Sequence, residues 1–306
     1  MIITLLPLFL AAKVGPDELL VWKHGGEVTY EINNHATITY PDDSNGHDRI
    51  FNLNGKMSCQ KMHDTTMLSC SLHDIKVHTT LVDDIKSQKI KADYVREDIW
   101  TKKFLQQDTF NIQFDKNGVN DVLIGNNVNQ AIWGIIGAFT NLLDVGLNLN
   151  EKIEGDYIKK ANLTNGYCKT KFFITRSIEN ENNDDVKLNN FNLFLINKPN
   201  ETLTRIIEIA RKIEDDNCSF KRYSAFLHRE IRKLKPQDFH VDIISAGNFM
   251  TISDKNLTSF SKTHMKVTNF KKNIKYMIDE SMSMSLKNIK AIKLCENNEK
   301  ISTTKN

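Results

Sequence analysis

No stretch of this chain is apolar over enough residues to cross a membrane as a helix. A spanning helix needs about 20 consecutive apolar residues. The strongest candidate, NNVNQAIWGIIGAFTNLL at 126–143, is interrupted by Thr140 and Asn141 and preceded by Asn126, Asn127, Asn129 and Gln130. Charge of one sign is not in large excess either: a net +3 over 306 residues does not by itself indicate nucleic acid. The nine histidines are scattered, and neither a Ser/His/Asp elbow nor a glycine-rich phosphate loop can be read. These absences argue against an enzyme and against a resident cofactor. No internal repeat and no clean linker divide the chain.

What is present begins with MIITLLPLFLAAKVG at 1–15, a short apolar run ending in small residues. That is the shape of a secretory signal peptide, with cleavage expected near Ala12 or Gly15, although the basic n-region is missing. Acceptor triplets for glycosylation at Asn162, Asn200 and Asn256 agree with a secreted, extracellular protein; the triplet at Asn217 is weaker. There are five cysteines: Cys59, Cys70, Cys168, Cys218 and Cys295. An oxidising compartment favours disulfides, and an odd count leaves one thiol over, for which Cys295 is the candidate.

From Trp22 to Ile124 the apolar residues recur mostly with period two, in runs joined by Asn/Asp/Gly turns such as Pro41–Gly46 and Asp115–Gly118. This predicts antiparallel hairpins. If Asp64 and Thr65 centre one turn, Cys59 and Cys70 stand directly opposite each other, a separation that suits a disulfide. A zinc site from Cys59, His63, Cys70 and His73, or two buried thiols, are the competing readings.

Within 126–143, residues Val128, Ile132, Ile135, Ile136, Phe139, Leu142 and Leu143 recur at helical spacing. Asn127 or Asn129 is the candidate cap and Gly146 the stop signal. The helix is expected to be core, with direct lipid contact as the alternative. ETLTRIIEIARKIEDDNC at 201–218 has Leu203, Ile206, Ile207, Ala210 and Ile213 at the same spacing, predicting a second, amphipathic helix. Basic residues Lys221, Arg222, Arg229, Arg232, Lys233 and Lys235 cluster next. From Lys262 to Lys305 ten lysines face four acids, a basic end that attracts anionic lipid, sulfated glycan or an acidic receptor surface.

The order of these parts resembles the amino-terminal domain of vitellogenins, the large lipid transfer proteins of egg yolk. The residues that carry it are Trp22-Lys-His-Gly-Gly-Glu27-Val-Thr-Tyr30, FNIQFDKNGVNDVLIG at 110–125 leading into the Asn-led apolar helix, NGYCKTKFFI at 165–174, and INKPNETLTRIIEIARKIEDDNC ending at Cys218. The match spans roughly residues 20–270. Here Asn129 is followed by Gln130 and Ala131 rather than by basic residues. The chain also stops where the family's helical horseshoe would begin.

The resemblance implies an α+β, mainly antiparallel β fold, with a curved barrel-like sheet wrapped around a central helix. It implies a disulfide between Cys168 and Cys218. It divides the chain into a signal peptide (1–15), a barrel domain (16–275) and a basic tail (276–306). It implies a secreted member of the lipid transporter family reduced to its receptor- and partner-binding domain. The expected partner is a protein receptor or lipoprotein, with lipid or anionic surfaces as further partners and no nucleic acid; the residues expected to engage it, from charge clustering alone, are Lys221, Arg222, Arg229, Arg232, Lys233 and Lys235. The alternative is a small-hydrophobe carrier with lipid inside the barrel.

Overall fold

Period-two alternation sets most of this structure. The computed structural model describes residues 2–6, 10–14, 26–41, 48–62, 66–84, 89–97, 109–125, 130–149, 151–152, 154–163, 166–178, 191–195, 205–213, 219–220 and 238–291. Strands β1 (Ile2–Leu6) and β2 (Leu10–Val14) pair with each other, and β2 pairs β11 (Phe191–Leu195) in a small three-stranded sheet. The run read as a signal peptide therefore supplies two strands.

In β3 (Gly26–Thr39), Tyr30, Ile32, Ala36 and Ile38 are buried while Glu31, His35 and Thr37 face outward. β4 (Asp48–Lys61) and β5 (Met67–Asp84) continue the hairpin, and β6 (Lys89–Glu97) pairs the far end of β5. β7 (Thr109–Asp115) and β8 (Gly118–Ile124) close on the two-residue turn Lys116-Asn117. The Asp115 side chain accepts the Asn117 N–H at 2.7 Å, and Gly118 takes φ 135°, which an L side chain rarely adopts.

Helix α1 (Gln130–Leu143) follows and ends before Gly146, at φ 74°. Ile135, Ile136, Phe139, Leu142 and Leu143 are all buried. Burying each such side chain stabilises by about 1.5–3 kcal/mol as a gross term. The helix packs against β8, β15 (Leu257–Asn269) and β16 (Ile274–Ala291).

The remaining strands are β9 (Gly155–Leu163), β10 (Gly166–Ile178), β12 (Arg205–Ile213), β13 (Ser219–Phe220) and β14 (Phe239–Ile252). The large sheet has 13 strands, all pairs antiparallel, along the path β13-β10-β12-β14-β15-β16-β3-β4-β5-β7-β8, with β6 on β5 and β9 on β10 off that path. The segment read as a basic tail from 276 provides most of β16, which lies between β15 and β3 in the middle of the sheet.

The α+β fold with a barrel wrapped around a central helix is not found. Among the described residues there are sixteen strands and one 14-residue helix, and the path ends at β13 and β8 without pairing them to each other. The sheet is open, and α1 covers part of one face. The second helix, expected over 201–218, is replaced by β12. Ile207, Ile209 and Arg211 are buried and alternate with Glu208, Ala210 and Lys212. A run this rich in isoleucine satisfies both periods, and pairing on both sides with β10 and β14 selects the strand.

Candidate binding surface on the outer sheet face

The alternation that buries Phe172, Arg211 and Met250 turns their neighbours to the opposite face. Lys171 stands directly opposite Lys212 across β10 and β12. Lys212 stands opposite Gly247 on β14, and Gly247 opposite Lys262 on β15. Three lysines thus fall on one line running across four strands. One step along, Lys160 faces Lys169 across β9 and β10. Like charges directly opposite destabilise an antiparallel pair, so this placement works against the fold.

A second line runs parallel to the first. Phe173 faces Ala210, Ala210 faces Phe249 and Phe249 faces Phe260. Phe249 and Phe260 are 40% and 44% exposed, unusual for two adjacent phenyl rings. Between the two lines lies a depression of about 350 Å³ bordered by Lys212, Phe249, Phe260 and Lys262. Gly247 forms its floor, where a Cβ would sit 3.3 Å from the Arg211 carbonyl oxygen. Lys171 Nζ lies 4.6 Å from the centre of the Phe173 ring and 3.7 Å from Asp156 Oδ2. Among the described residues, Lys212 and Lys262 have no carboxylate within ion-pair distance.

Behind this surface a buried ion pair fixes β12. Arg211 Nη1 donates to Asp144 Oδ2 at 3.2 Å, and Nη2 donates to the Asn141 backbone and side-chain oxygens at 2.8 and 3.1 Å. Asp144 Oδ1 accepts the N–H of Val119 at 3.0 Å and of Gly146 at 3.1 Å. Burial pushes the Asp144 carboxyl above the usual carboxylate range, against the opposing pull of Arg211 and the two backbone N–H groups. Burial also lowers the Arg211 guanidinium, against the charge of Asp144. By holding Arg211 inward, the pair forces Lys212 outward.

Cys59 and Cys70 are opposite in register and joined by a disulfide. Their sulfurs are therefore unavailable as zinc thiolates, and among the described residues no group of three or more His, Cys, Asp or Glu is placed to hold a metal. Next to them, Ser58 Oγ lies 2.7 Å from His73 Nε2, while His73 Nδ1 is 3.6 Å from Asp74 Oδ2. The second distance is too long for a hydrogen bond. Asp74 is instead bonded by Lys56 at 2.7 Å, whose hydrogen bond and charge hold the carboxyl below its usual range. The set braces β4 against β5 and does not make a nucleophile relay.

Cys168 is disulfide-bonded, and Cys218, its expected partner, lies outside the described residues, as does Cys295. Asn256 is exposed in the turn between β14 and β15, and Asn162 lies on β9 opposite Tyr167. Asn200 and the cluster Lys221, Arg222, Arg229, Arg232, Lys233 and Lys235 fall outside the described residues. The lysine line was not legible beforehand, because its members come from sequence positions 171, 212 and 262 and only the strand register collects them. The local signal available was the alternation Lys169-Thr-Lys171-Phe-Phe173.

No family model and no curated protein matches this chain. Among solved structures it is similar to the translocator domain of autotransporter NalP from Neisseria meningitidis, at 6% identity and a TM-score of 0.20, over 86% of this chain and 90% of that one. At that score the likeness supports neither a fold nor a function. Among the described residues no helix is long and apolar enough to cross a membrane.

Proposed function

We propose that this chain is an extracellular, vitellogenin-like binding module of the lipid transporter family that recognises a protein receptor or lipoprotein. The observation that carries the reading is the outer face on which Lys171, Lys212 and Lys262 line up beside exposed Phe249 and Phe260. Exposed aromatics supply anchoring area and lysines supply steering toward an acidic partner. The disulfides at Cys59–Cys70 and at Cys168 support an oxidising compartment. The motif order from Trp22 to Cys218 supports the family. Binding of this kind needs no bond-making chemistry from the chain.

A surface binder also accords with an interior occupied by Phe110, Phe139, Phe172 and Ile209, each buried, where a carrier would hold its cargo. Native mass spectrometry of protein recovered from culture medium tests the reading. The expected result is a secreted protein with a new amino terminus near residue 13 or 16, so that β1 and most or all of β2 belong to the precursor alone, with Cys168 joined to Cys218 and no stoichiometric lipid. Retention inside the cell with reduced cysteines would overturn it. A bound lipid on every molecule would make the chain a carrier.

A further inference from the structure

The lysine line has a feature that a general partner surface does not require: its charges lie along a single direction, across the strands. Neighbouring strands are about 4.8 Å apart. Lys171 and Lys212 are on adjacent strands, and Lys262 is two strands further, with side-chain-free Gly247 between. The three charges are therefore strung over about 15 Å. From Lys171 to Ser281, opposite Lys262 on β16, this register line contains no carboxylate. Asp156 at 3.7 Å already offsets part of the Lys171 charge, while among the described residues Lys212 and Lys262 have no carboxylate within ion-pair distance, so a bound anion would chiefly serve those two.

We infer that this face binds a linear sulfated glycan, with sulfates on Lys171, Lys212 and Lys262 and sugar rings against Phe173, Phe249 and Phe260. The inference rests on the extracellular reading above, and it adds a second ligand class beyond the protein partner. Three observations favour a chain-like polyanion over an anionic membrane. The shallow depression at Gly247 lies between the charged and the aromatic line, where a position without a side chain leaves room for a strand-like ligand along the line. The charges form a line and not a disc. The aromatic line runs parallel to the charges two residues along the strands, with Phe173 and Phe260 on the same strands as Lys171 and Lys262 and Phe249 beside Gly247, so the rings border the path that a sugar chain would follow between the lysines.

The test is heparin binding by the full-length secreted protein, measured by isothermal titration at several salt concentrations. Wild type is expected to bind with affinity that falls steeply as salt rises. Lys212→Glu/Lys262→Glu should weaken binding at least about tenfold and flatten the salt slope, because sulfate contacts release counterions as phosphate contacts do. Phe249→Ser/Phe260→Ser should weaken it severalfold with the slope unchanged. Lys76→Glu, at an exposed lysine on β5 far from the line, should leave it intact. All five positions are exposed, and circular dichroism confirms that each variant folds. No heparin binding by wild type, or equal binding by the Lys212/Lys262 variant, overturns the inference. So does binding to phosphatidylserine vesicles or to single-stranded DNA with no binding to heparin. None of these outcomes bears on secretion or lipid content, which test the function proposed above.

Discussion

Asp144 and Arg211, 67 residues apart, meet at 3.2 Å inside the protein, with side chains 2% and 4% exposed. Asp144 also receives the N–H groups of Val119 and Gly146, so one carboxylate joins the β7–β8 turn, the end of α1 and strand β12. Removing one member of a buried pair strands the other charge. Arg211→Met should therefore cost about 3–5 kcal/mol at neutral pH. The pH dependence has a definite sign. Burial raises Asp144, and without Arg211 nothing but the two N–H groups opposes it. The variant's folded state then holds this proton more tightly than its unfolded state. Its stability falls as pH rises from the ordinary carboxylate range, near about 4, through the raised value. Urea unfolding should show a smaller deficit at acid pH than at pH ~7, and a deficit independent of pH would refute the account.

The Cys59–Cys70 bridge closes a loop with a sequence separation of 11. In the chain-entropy description such a loop contributes about 3 kcal/mol. Cys59→Ser/Cys70→Ser should lower the urea midpoint by a corresponding amount without changing the far-ultraviolet dichroism, since the hairpin register is also held by the β4–β5 ladder.

Gly118 combines φ 135° with a position where a Cβ would collide with Asp144 Oδ1. Gly118→Ala is expected to destabilise by about 1–3 kcal/mol, through strain and displacement of the carboxylate. Thermal unfolding measures this. An unchanged midpoint would mean that the turn has an alternative geometry.

The strand assignment of β12 separates residues that a helix would group. Ile209 is 1% exposed, whereas Ile206 is only partly buried. Ile209→Ala should cost about 2–5 kcal/mol and Ile206→Ala clearly less. The helical spacing predicts the reverse, because it places Ile206 with Ile207, Ala210 and Ile213 on the inner face. Denaturation of the two variants side by side decides between them.

Hairpins, the apolar helix and its stop at Gly146, and the facing of Cys59 and Cys70 could be read in the chain itself. Each depends on neighbours within about 15 residues or on a turn whose chemistry is local. Closure of the sheet could not be read, because whether β13 and β8 meet depends on accumulated twist over eleven strands and leaves no mark in either strand. The choice of strand for 205–213 was also decided at a distance, by β10 and β14 on its two sides. The binding surface belongs wholly to this second group. Lys171, Lys212 and Lys262 are ordinary outward positions in three separate strands, as are Phe173, Phe249 and Phe260. For β10, β14 and β15 the sequence by itself determined which face each side chain takes, through period two, whereas in β12 the pairing had first to select the strand. Only the tertiary register determined that the lysines share one line and the phenylalanines the next, because register is set by pairing between separate segments, such as Lys171 with Lys212.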